Sequence, residues 1–223
     1  RAAAAGYRFF LYAPKAETAL RRRWREPMTA PSLEPMAAFA AHCRALGMRF
    51  GVGLSPHAID DAPAAPDRER LADRIATLER EVGLDELLLL FDDIRGDDPT
   101  LADRQADLVA FVASRTRVPR LAVCPTYYSD DPVLDRVFGT RPPDYLERLG
   151  RRLDPSVRVC WTGEEVCSRE YGAAHLRRVA GTLRRAPLLW DNYPVNDGQR
   201  MSQALHLRGF TGRPASNAAL LSG

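Results

Sequence analysis

The sequence is most informative at the stretch Leu87-Leu88-Leu89-Leu90-Phe91-Asp92-Asp93-Ile94, where five large apolar residues run directly into two adjacent carboxylates. An unbroken apolar run of this length is typical of a strand that is buried on both faces, as in a parallel sheet. Ionisable groups at the end of such a strand are costly to bury, so their presence indicates a function. In parallel α/β folds, ligands bind at the carboxyl ends of the strands. We therefore predict that Asp92 and Asp93 lie in a functional site.

The overall composition is that of an ordinary globular protein. The chain has 223 residues, of which 45% are hydrophobic and 27% are charged. This length allows one large domain or two small ones with a sizeable core. The net charge of +3 comes from 32 basic and 29 acidic residues, so the protein carries no strong field of one sign. We therefore expect neither nucleic acid nor a membrane among its partners.

Cysteine content and hydropathy bear on the compartment. The four cysteines show no Cys-x-x-Cys spacing, and they are Cys43, Cys124, Cys160 and Cys167. Such a set is usually reduced and buried, so we expect a cytoplasmic protein. No apolar segment is long enough to span a bilayer. The chain begins at Arg1 rather than at Met, and we expect its natural N-terminus to lie upstream.

Strand-like and helix-like stretches alternate along the whole chain. The predicted strands are 7–12, 48–54, 87–91, 120–123, 157–161 and 187–190. The predicted helices are 31–46, 67–82, 100–115, 143–153 and 173–185. Alternation of this kind predicts a parallel sheet covered by helices.

The residues after the strands distinguish two parallel architectures. A doubly wound sheet is possible, but no glycine-rich phosphate loop follows any strand. Polar or unusual residues follow every strand, which favours a (β/α)8 TIM barrel. The sequence supplies about six β/α units rather than eight. We therefore predict that residues 1–223 form one partial catalytic barrel domain, with strands 2 to 7 present and the first and last strands lacking.

The adjacent carboxylates suggest a type of reaction. Asp92 and Asp93 cannot both be comfortably ionised in a shared, partly dry site, so one pKa should rise and provide a proton donor. A conventional retaining glycosidase holds its two carboxyl groups ~5 Å apart on opposite sides of the scissile bond. Neighbours on one strand end approach a substrate from the same side. They suit a substrate that supplies its own nucleophile, as a 2-acetamido sugar can.

Two further carboxylates allow an alternative interpretation of this region, as a metal site. Asp97 and Asp98 follow closely, and with Asp92 and Asp93 they could hold a divalent cation in a barrel hydrolase or lyase. The sequence Gly96-Asp97-Asp98-Pro99 is also typical of a turn followed by a helix start. Both interpretations stay open at this point.

Six sequence blocks, in order, resemble glycoside hydrolase family 84, the β-N-acetylglucosaminidases that include protein O-GlcNAcases. The blocks are Tyr12-Ala13-Pro14-Lys15 with Arg21-x-x-Trp24-Arg25-Glu26, then Leu54-Ser55-Pro56, Phe91-Asp92-Asp93-Ile94, Cys124-Pro125-Thr126-x-Tyr128, Trp161-Thr162-Gly163 and Trp190-Asp191-Asn192-Tyr193-Pro194-Val195-Asn196-Asp197. Each follows or ends a predicted strand. The resemblance implies a retaining β-N-acetylglucosaminidase that cleaves terminal β-linked GlcNAc through an oxazoline intermediate, with neither metal nor organic cofactor. A non-catalytic GlcNAc-binding relative is a further alternative.

The resemblance also implies roles for the two catalytic residues, Asp92 and Asp93, and for the substrate-binding residue Tyr128. Asp92 would orient and polarise the acetamido group of the substrate. Asp93 would act first as general acid and then as general base. Tyr128 would steady the acetamido oxygen while the oxazoline forms.

A second set of residues is implied in substrate binding. Lys15 would contact sugar hydroxyl groups. Asn192 and Asp197 would bind the sugar, with Asp197 at its 4- and 6-hydroxyls. Trp161 and Trp190 would wall the pocket. The expected substrate is a GlcNAc-containing glycoside or glycoprotein.

The chain departs from the family pattern at several positions. The family's first strand carries a Gly-Phe-Tyr-Gly motif and its last strand an Asn-Pro motif, and neither occurs in residues 1–223. His57 stands where the family usually has Gly, and Glu164 stands where Pro is common. These departures concern contacts beyond the first sugar rather than the catalytic pair.

Overall fold

The computed structural model describes residues 1–59, 62, 65–92, 94–193, 195, 201–203, 205, 207 and 209–222. The strands in this part of the chain are β1 (Phe9–Tyr12), β2 (Arg49–Leu54), β3 (Glu86–Leu90), β4 (Leu121–Cys124), β5 (Arg158–Trp161) and β6 (Leu188–Leu189). The α-helices are α1 (Ala30–Ala45), α2 (Pro66–Glu81), α3 (Leu101–Arg115), α4 (Val133–Phe138), α5 (Tyr145–Arg152) and α6 (Ala173–Leu183). Short 3-10 helices lie at Ala3–Ala5, Thr18–Leu20, Met201–Gln203 and Ala215–Leu220.

The six strands form one parallel sheet in the order of the chain. Each strand pairs only with its sequence neighbours, in the order β1-β2-β3-β4-β5-β6. Residues of both edge strands, Phe9–Tyr12 and Leu188–Leu189, line the same cavity, so the sheet curls until its two edges face each other. The arrangement is a partial (β/α)8 barrel, as predicted from the alternating pattern. The six-residue helix α4 was not predicted.

Strand β3 is buried on both faces, which confirms the interpretation of its apolar run. Leu87 and Leu89 belong to the main core, between the sheet and the helices. Leu88 and Leu90 belong to a second, smaller cluster on the inner face of the curled sheet. The alternation of side chains along a strand produces these two layers.

Glycine lets neighbouring residues pack closely against the inner face of β2. Phe50, Val52 and Leu54 point toward the helices, and the glycines alternate with them. A methyl group on Gly53 would lie 2.6 Å from Cβ of Ala13, and one on Gly51 would lie 2.8 Å from Cβ of Glu86. No side chain larger than hydrogen therefore fits at these positions without a shift of the neighbouring strand.

An ion-paired carboxylate lies at the amino-terminal end of the sheet. Glu86, which is 4% exposed, accepts hydrogen bonds from Arg49 Nε at 2.6 Å and from Arg158 Nη2 at 2.9 Å. These residues belong to β2, β3 and β5, so the cluster ties three strands together at the end opposite the predicted site. Its two partners supply the countercharge that a buried carboxylate requires.

The helices show ordinary boundary signals. Helix α2 begins with Pro66 and carries Asp67 and Glu69 in its first turn, where negative charge complements the helix dipole. Gly83 follows it with a φ of +74°, a value that glycine adopts at no steric cost. None of the helices in the described residues combines the length and the apolarity that a membrane crossing needs.

Candidate active site

The carboxyl ends of the parallel strands lie at one edge of the sheet, and the predicted site residues follow these ends. Asp92 comes two residues after β3 and is half-buried. The alternation that points Leu88 and Leu90 to the inner face, continued along the chain, places Asp92 on that face. Asp93 lies outside the described residues.

Hydrogen bonds hold the peptide unit that precedes Asp92. Phe91 N–H donates to the Cys124 carbonyl at 2.9 Å, which extends the pairing between β3 and β4. The Phe91 carbonyl accepts from Thr126 Oγ1 at 2.9 Å and from Ile94 N–H at 3.3 Å. The chain is therefore fixed on its β4 side at the point where it enters the aspartate pair.

Tyr128 follows β4, is half-buried, and packs against both the inner cluster and the main core. Its carbonyl accepts a hydrogen bond from Thr162 N–H at 2.9 Å, which ties the loop after β4 to the end of β5. Leu90 and Trp190 belong to the same inner cluster. The structure thus brings Tyr128 to the face on which the Asp92 side chain is expected.

The end of β6 contributes Trp190 and Asn192. The Trp190 side chain packs on the inner cluster and lines the cavity between the edge strands. The backbone N–H of Trp190 donates to the backbone carbonyl of Trp161 at 2.9 Å. Asn192 Nδ2 donates to the Val166 carbonyl at 2.9 Å, so this amide is oriented by the loop after β5. Asp197, which was also predicted to bind the sugar, lies outside the described residues.

Lys15 follows β1 at the same edge of the sheet. It is exposed, and it comes directly after Pro14, which lines the cavity. This position fits a side chain that reaches a ligand from the rim. The structure therefore places Lys15 at the carboxyl ends of the strands, together with Asp92, Tyr128 and Trp190.

Trp161 occupies a different place from the one predicted. Its side chain is 0% exposed and belongs to the core between the sheet and the helices. The indole N–H donates to His175 Nε2 at 3.0 Å, and His175 lies on α6. Burial lowers the pKa of His175, which favours the unprotonated Nε2 that accepts this bond. The expectation that Trp161 walls a sugar pocket disagrees with this placement, because neighbouring Cys160 takes the inner face.

The acidic pair beyond Asp93 is engaged with arginines. Asp97 receives two hydrogen bonds of 2.6 Å from Arg95. Asp98 accepts from Arg104 Nη1 at 2.8 Å and from Thr100 N–H at 2.8 Å, so it caps the turn before α3. Within the described residues, no group of three or more His, Cys, Asp or Glu side chains is arranged to hold a metal ion. The contacts of Asp98 are those of a turn before a helix, as one of the two interpretations predicted. The metal interpretation also involves Asp93, which lies outside the described residues.

One strong contact at the site was not predicted. The Asp191 carboxylate accepts from Arg213 Nε at 2.8 Å and from Arg213 Nη2 at 2.9 Å, and its Oδ1 also accepts from Tyr193 N–H at 3.0 Å. Burial by itself would raise the pKa of Asp191, but the bonds from Arg213 and Tyr193 outweigh it and lower the pKa. Arg213 lies in a stretch of weak pattern, and no sequence signal marks it.

The cavity between the edge strands has a volume of about 540 Å³. Its walls are mostly apolar, with aromatic side chains from both edges and one carboxylate at the rim. The lining residues are Phe9, Phe10, Leu11, Tyr12, Ala13, Pro14, Leu88, Cys160, Leu188, Leu189, Trp190 and Asp191. Because this cavity runs along both edge strands, only its end at Pro14, Trp190 and Asp191 adjoins the strand ends where the predicted site residues lie.

Comparison with known proteins gives a consistent result. Residues 3–223 match the model of a family described as beta-N-acetylglucosaminidase. An alignment over 225 residues is 27% identical to Protein O-GlcNAcase of Mus musculus, and the corresponding protein of Rattus norvegicus gives the same identity. A mutant of the O-GlcNAc hydrolase of Thermobaculum terrenum superimposes with a TM-score of 0.82 at 30% identity.

The matches cover nearly all of this chain but only part of the relatives. The alignment to the mouse protein covers 96% of this chain and 24% of that protein. The Thermobaculum structure is matched over 95% of this chain and 46% of its own length. The chain therefore corresponds to about a quarter of the curated relatives and to about half of the solved structure.

Proposed function

Because the chain belongs to the beta-N-acetylglucosaminidase family, we propose that it is the catalytic barrel of a retaining glycoside hydrolase that releases terminal β-linked GlcNAc. The observation that carries this proposal is the position of Asp92. A half-buried carboxylate follows a strand whose five residues are all buried, at the edge where barrel enzymes place their chemistry.

The proposed reaction uses the acetamido group of the substrate as nucleophile. Asp92 accepts a hydrogen bond from the acetamido N–H. Its negative charge balances the positive charge of the oxazolinium that forms when the acetamido oxygen attacks C1. Asp93 gives its proton to the departing glycosidic oxygen. In the second step Asp93 takes a proton from water, which attacks C1 and reopens the ring. Tyr128 donates its hydroxyl hydrogen to the acetamido oxygen during ring closure.

The remaining residues bind the sugar. Lys15 reaches hydroxyl groups from the rim, and Trp190 forms the apolar wall. Asn192 uses Nδ2 on the Val166 carbonyl, so its amide oxygen faces the sugar hydroxyls. Asp197 completes the set at the 4- and 6-hydroxyls. Trp161 supports this wall from behind through its carbonyl, rather than by contact with the sugar.

The proposed substrates are glycosides or glycoproteins that end in β-linked GlcNAc. Barrel enzymes of this type recognise one sugar at the strand ends and leave the rest of the substrate to surrounding loops. Cys43, Cys124 and Cys160 are buried, and the cysteines show no Cys-x-x-Cys spacing. Buried cysteines of this kind behave as small apolar side chains, which supports the proposal of a cytoplasmic location.

The deciding experiment measures hydrolysis of 4-nitrophenyl β-GlcNAc by the full-length protein. We expect turnover, with the β-anomer of GlcNAc as the first product seen by proton NMR. Asp92→Asn and Asp93→Asn should each lose most of the activity, whereas Asp97→Asn serves as the matched control and should retain it. An inactive wild-type protein would contradict the proposal, and binding of GlcNAc without turnover would then support the non-catalytic alternative.

A further inference from the structure

The pairing of β3 with β4 continues past the end of β3 by an unusual route. Phe91 N–H donates to the Cys124 carbonyl. In a regular parallel ladder, the Phe91 carbonyl would next accept from Thr126 N–H. Thr126 N–H instead donates to Tyr145 Oη at 3.1 Å. The Thr126 hydroxyl replaces the missing ladder bond and donates to the Phe91 carbonyl at 2.9 Å.

A closed hydrogen-bond network stands behind Thr126. Gln105 Nε2 donates to Thr126 Oγ1 at 2.8 Å, and Tyr145 Oη donates to Gln105 Oε1. The hydroxyl groups of Thr126 and Tyr145 therefore each donate one hydrogen bond and accept one. The amide nitrogen of Gln105 donates and its amide oxygen accepts, as their chemistry requires. The exposed fractions are 0% for Thr126, 3% for Gln105 and 1% for Tyr145. The network is thus fully buried, and all of its bonds run in one consistent direction.

The network connects two helices to the peptide unit before the aspartates. Gln105 lies on α3, and Tyr145 is the first residue of α5. Burial raises the pKa of Tyr145, so the phenol stays protonated and donates. The Phe91 carbonyl, which receives the last bond, belongs to the peptide that joins Phe91 to Asp92. Apolar side chains could fill this space without the cost of buried polar groups, which indicates that the directed bonds have a purpose beyond packing.

We infer that Thr126, held by Gln105 and Tyr145, is a positioning residue that sets the orientation of the Asp92 carboxylate. This inference rests on the proposed function. Within the Cys124-Pro125-Thr126-x-Tyr128 block, two residues then have different roles. Thr126 positions the carboxylate, and Tyr128 binds the substrate. Misplacement of a reacting group by a fraction of an ångström lowers the rate while the sugar still binds.

The test compares the same substitution at Thr126, which follows β4, and at Thr116, which follows α3. Thr126→Val in the full-length protein keeps the side-chain shape and removes the hydroxyl. We expect it to lower kcat on 4-nitrophenyl β-GlcNAc by roughly 10- to 100-fold, with less than about a threefold change in KM. The pH profile of kcat/KM should also shift, because a moved Asp92 carboxylate interacts differently with the proposed general acid. Thr126→Ser, which restores the hydroxyl, should recover most of the rate.

Thr116→Val is the matched control. Thr116 lies before β4, at the opposite end of the sheet, and its hydroxyl also makes a hydrogen bond, to Glu79. Its loss should leave kcat and the pH profile unchanged, and it should lower the melting temperature less than Thr126→Val does, because Thr116 is only half-buried. If Thr126→Val does not fold, Tyr145→Phe decides, since it keeps the ring and removes only the hydroxyl. We expect Tyr145→Phe to lower kcat about fivefold or more with KM preserved.

The outcomes separate this inference from the proposed function. A wild-type protein without turnover overturns both, and this result is visible before any variant is made. Turnover by the wild type together with equal kcat values for Thr126→Val and Thr116→Val overturns the inference alone. A loss in Thr126→Val that Thr126→Ser fails to restore also overturns it, because the hydroxyl would then not be the group that matters.

Discussion

The Asp191 carboxylate and the Arg213 guanidinium form a two-bond ion pair, with both N–O distances below 3.0 Å. Arg213 also donates to the Ser168 carbonyl at 2.9 Å, and its guanidinium lies 5.1 Å from the ring centre of Tyr171. One side chain thus joins the loop after β6 to the loop after β5. Asn192, proposed to bind the sugar, follows Asp191 directly. The contact therefore bears on both stability and substrate binding.

Loss of the Arg213 side chain should weaken the site without changing the chemistry. Arg213→Ala leaves a half-buried carboxylate without its cation, and we expect a loss of roughly 2 kcal/mol in the free energy of unfolding. KM for 4-nitrophenyl β-GlcNAc should rise more than kcat falls. Arg213→Lys should not restore the wild-type values, since an ammonium cannot form two parallel bonds. Urea unfolding and steady-state kinetics measure these effects. Arg95→Ala, in an exposed pair with Asp97, is the control and should have little effect.

The ion pair between Asp191 and Arg213 should make the free energy of unfolding depend on pH. The pKa of Asp191 lies below its ordinary value of 3.8 in the folded protein. The charged carboxylate therefore stabilises the fold fully above the unfolded pKa, and this stabilisation is lost as the pH falls through the folded pKa. The difference in unfolding free energy between wild type and Asp191→Asn should be constant from pH 7 to 5 and shrink below about pH 4. A difference that changes between pH 7 and 5 would contradict this assignment.

Substitution of the two proposed catalytic aspartates should have different effects. Asp93→Asn removes the proposed general acid, which matters in proportion to how strongly the leaving oxygen needs a proton. It should keep much of its glycosylation rate on a dinitrophenyl glycoside and lose most of it on an alkyl glycoside. Asp92→Asn should lose activity about equally on both, a loss of roughly 3–4 kcal/mol in transition-state stabilisation. The measurement is kcat/KM across leaving groups of graded pKa. A steeper dependence in Asp92→Asn would reverse the two roles.

Chelation separates the proposed reaction from metal-dependent hydrolysis. If the acetamido group is the nucleophile, dialysis against EDTA should leave kcat unchanged. A GlcNAc-thiazoline, which mimics the bicyclic intermediate, should inhibit competitively and more tightly than GlcNAc binds. Loss of activity on chelation, followed by recovery with Mg²⁺ or Mn²⁺, would instead favour a site built on the aspartates.

The buried carboxylate at the amino-terminal end of the sheet should be important for stability alone. Glu86→Ala removes the shared partner of Arg49 and Arg158, and we expect a loss of about 3 kcal/mol in the free energy of unfolding. The cluster lies at the end opposite the proposed site, so kcat and KM should change little. Glu81→Ala, whose partner Arg80 is exposed, should cost less than about 0.5 kcal/mol. Urea unfolding of both variants checks the contrast.

The sequence by itself determined the architecture and the edge at which the site lies. The apolar run at Leu87–Phe91 and the alternation with helical stretches are local patterns, and each is set by the period of one element. Since all parallel strands end at one edge, the polar residues after them had to converge there. Helix α4 escaped prediction because six residues are too few to display a helical period.

Only the tertiary structure decided which side chains meet. Trp161 lies on the helix side of β5 and Trp190 lies on the inner side of the sheet. Apolar residues lie on both faces of β5 and β6, so the hydrophobic pattern of the sequence could not show which face each tryptophan occupies. The partner of Asp191 is 22 positions away, and Gln105 and Tyr145 are separated by 40. Such contacts depend on how distant segments pack. Hydrophobic periodicity describes one segment at a time, so it does not predict them.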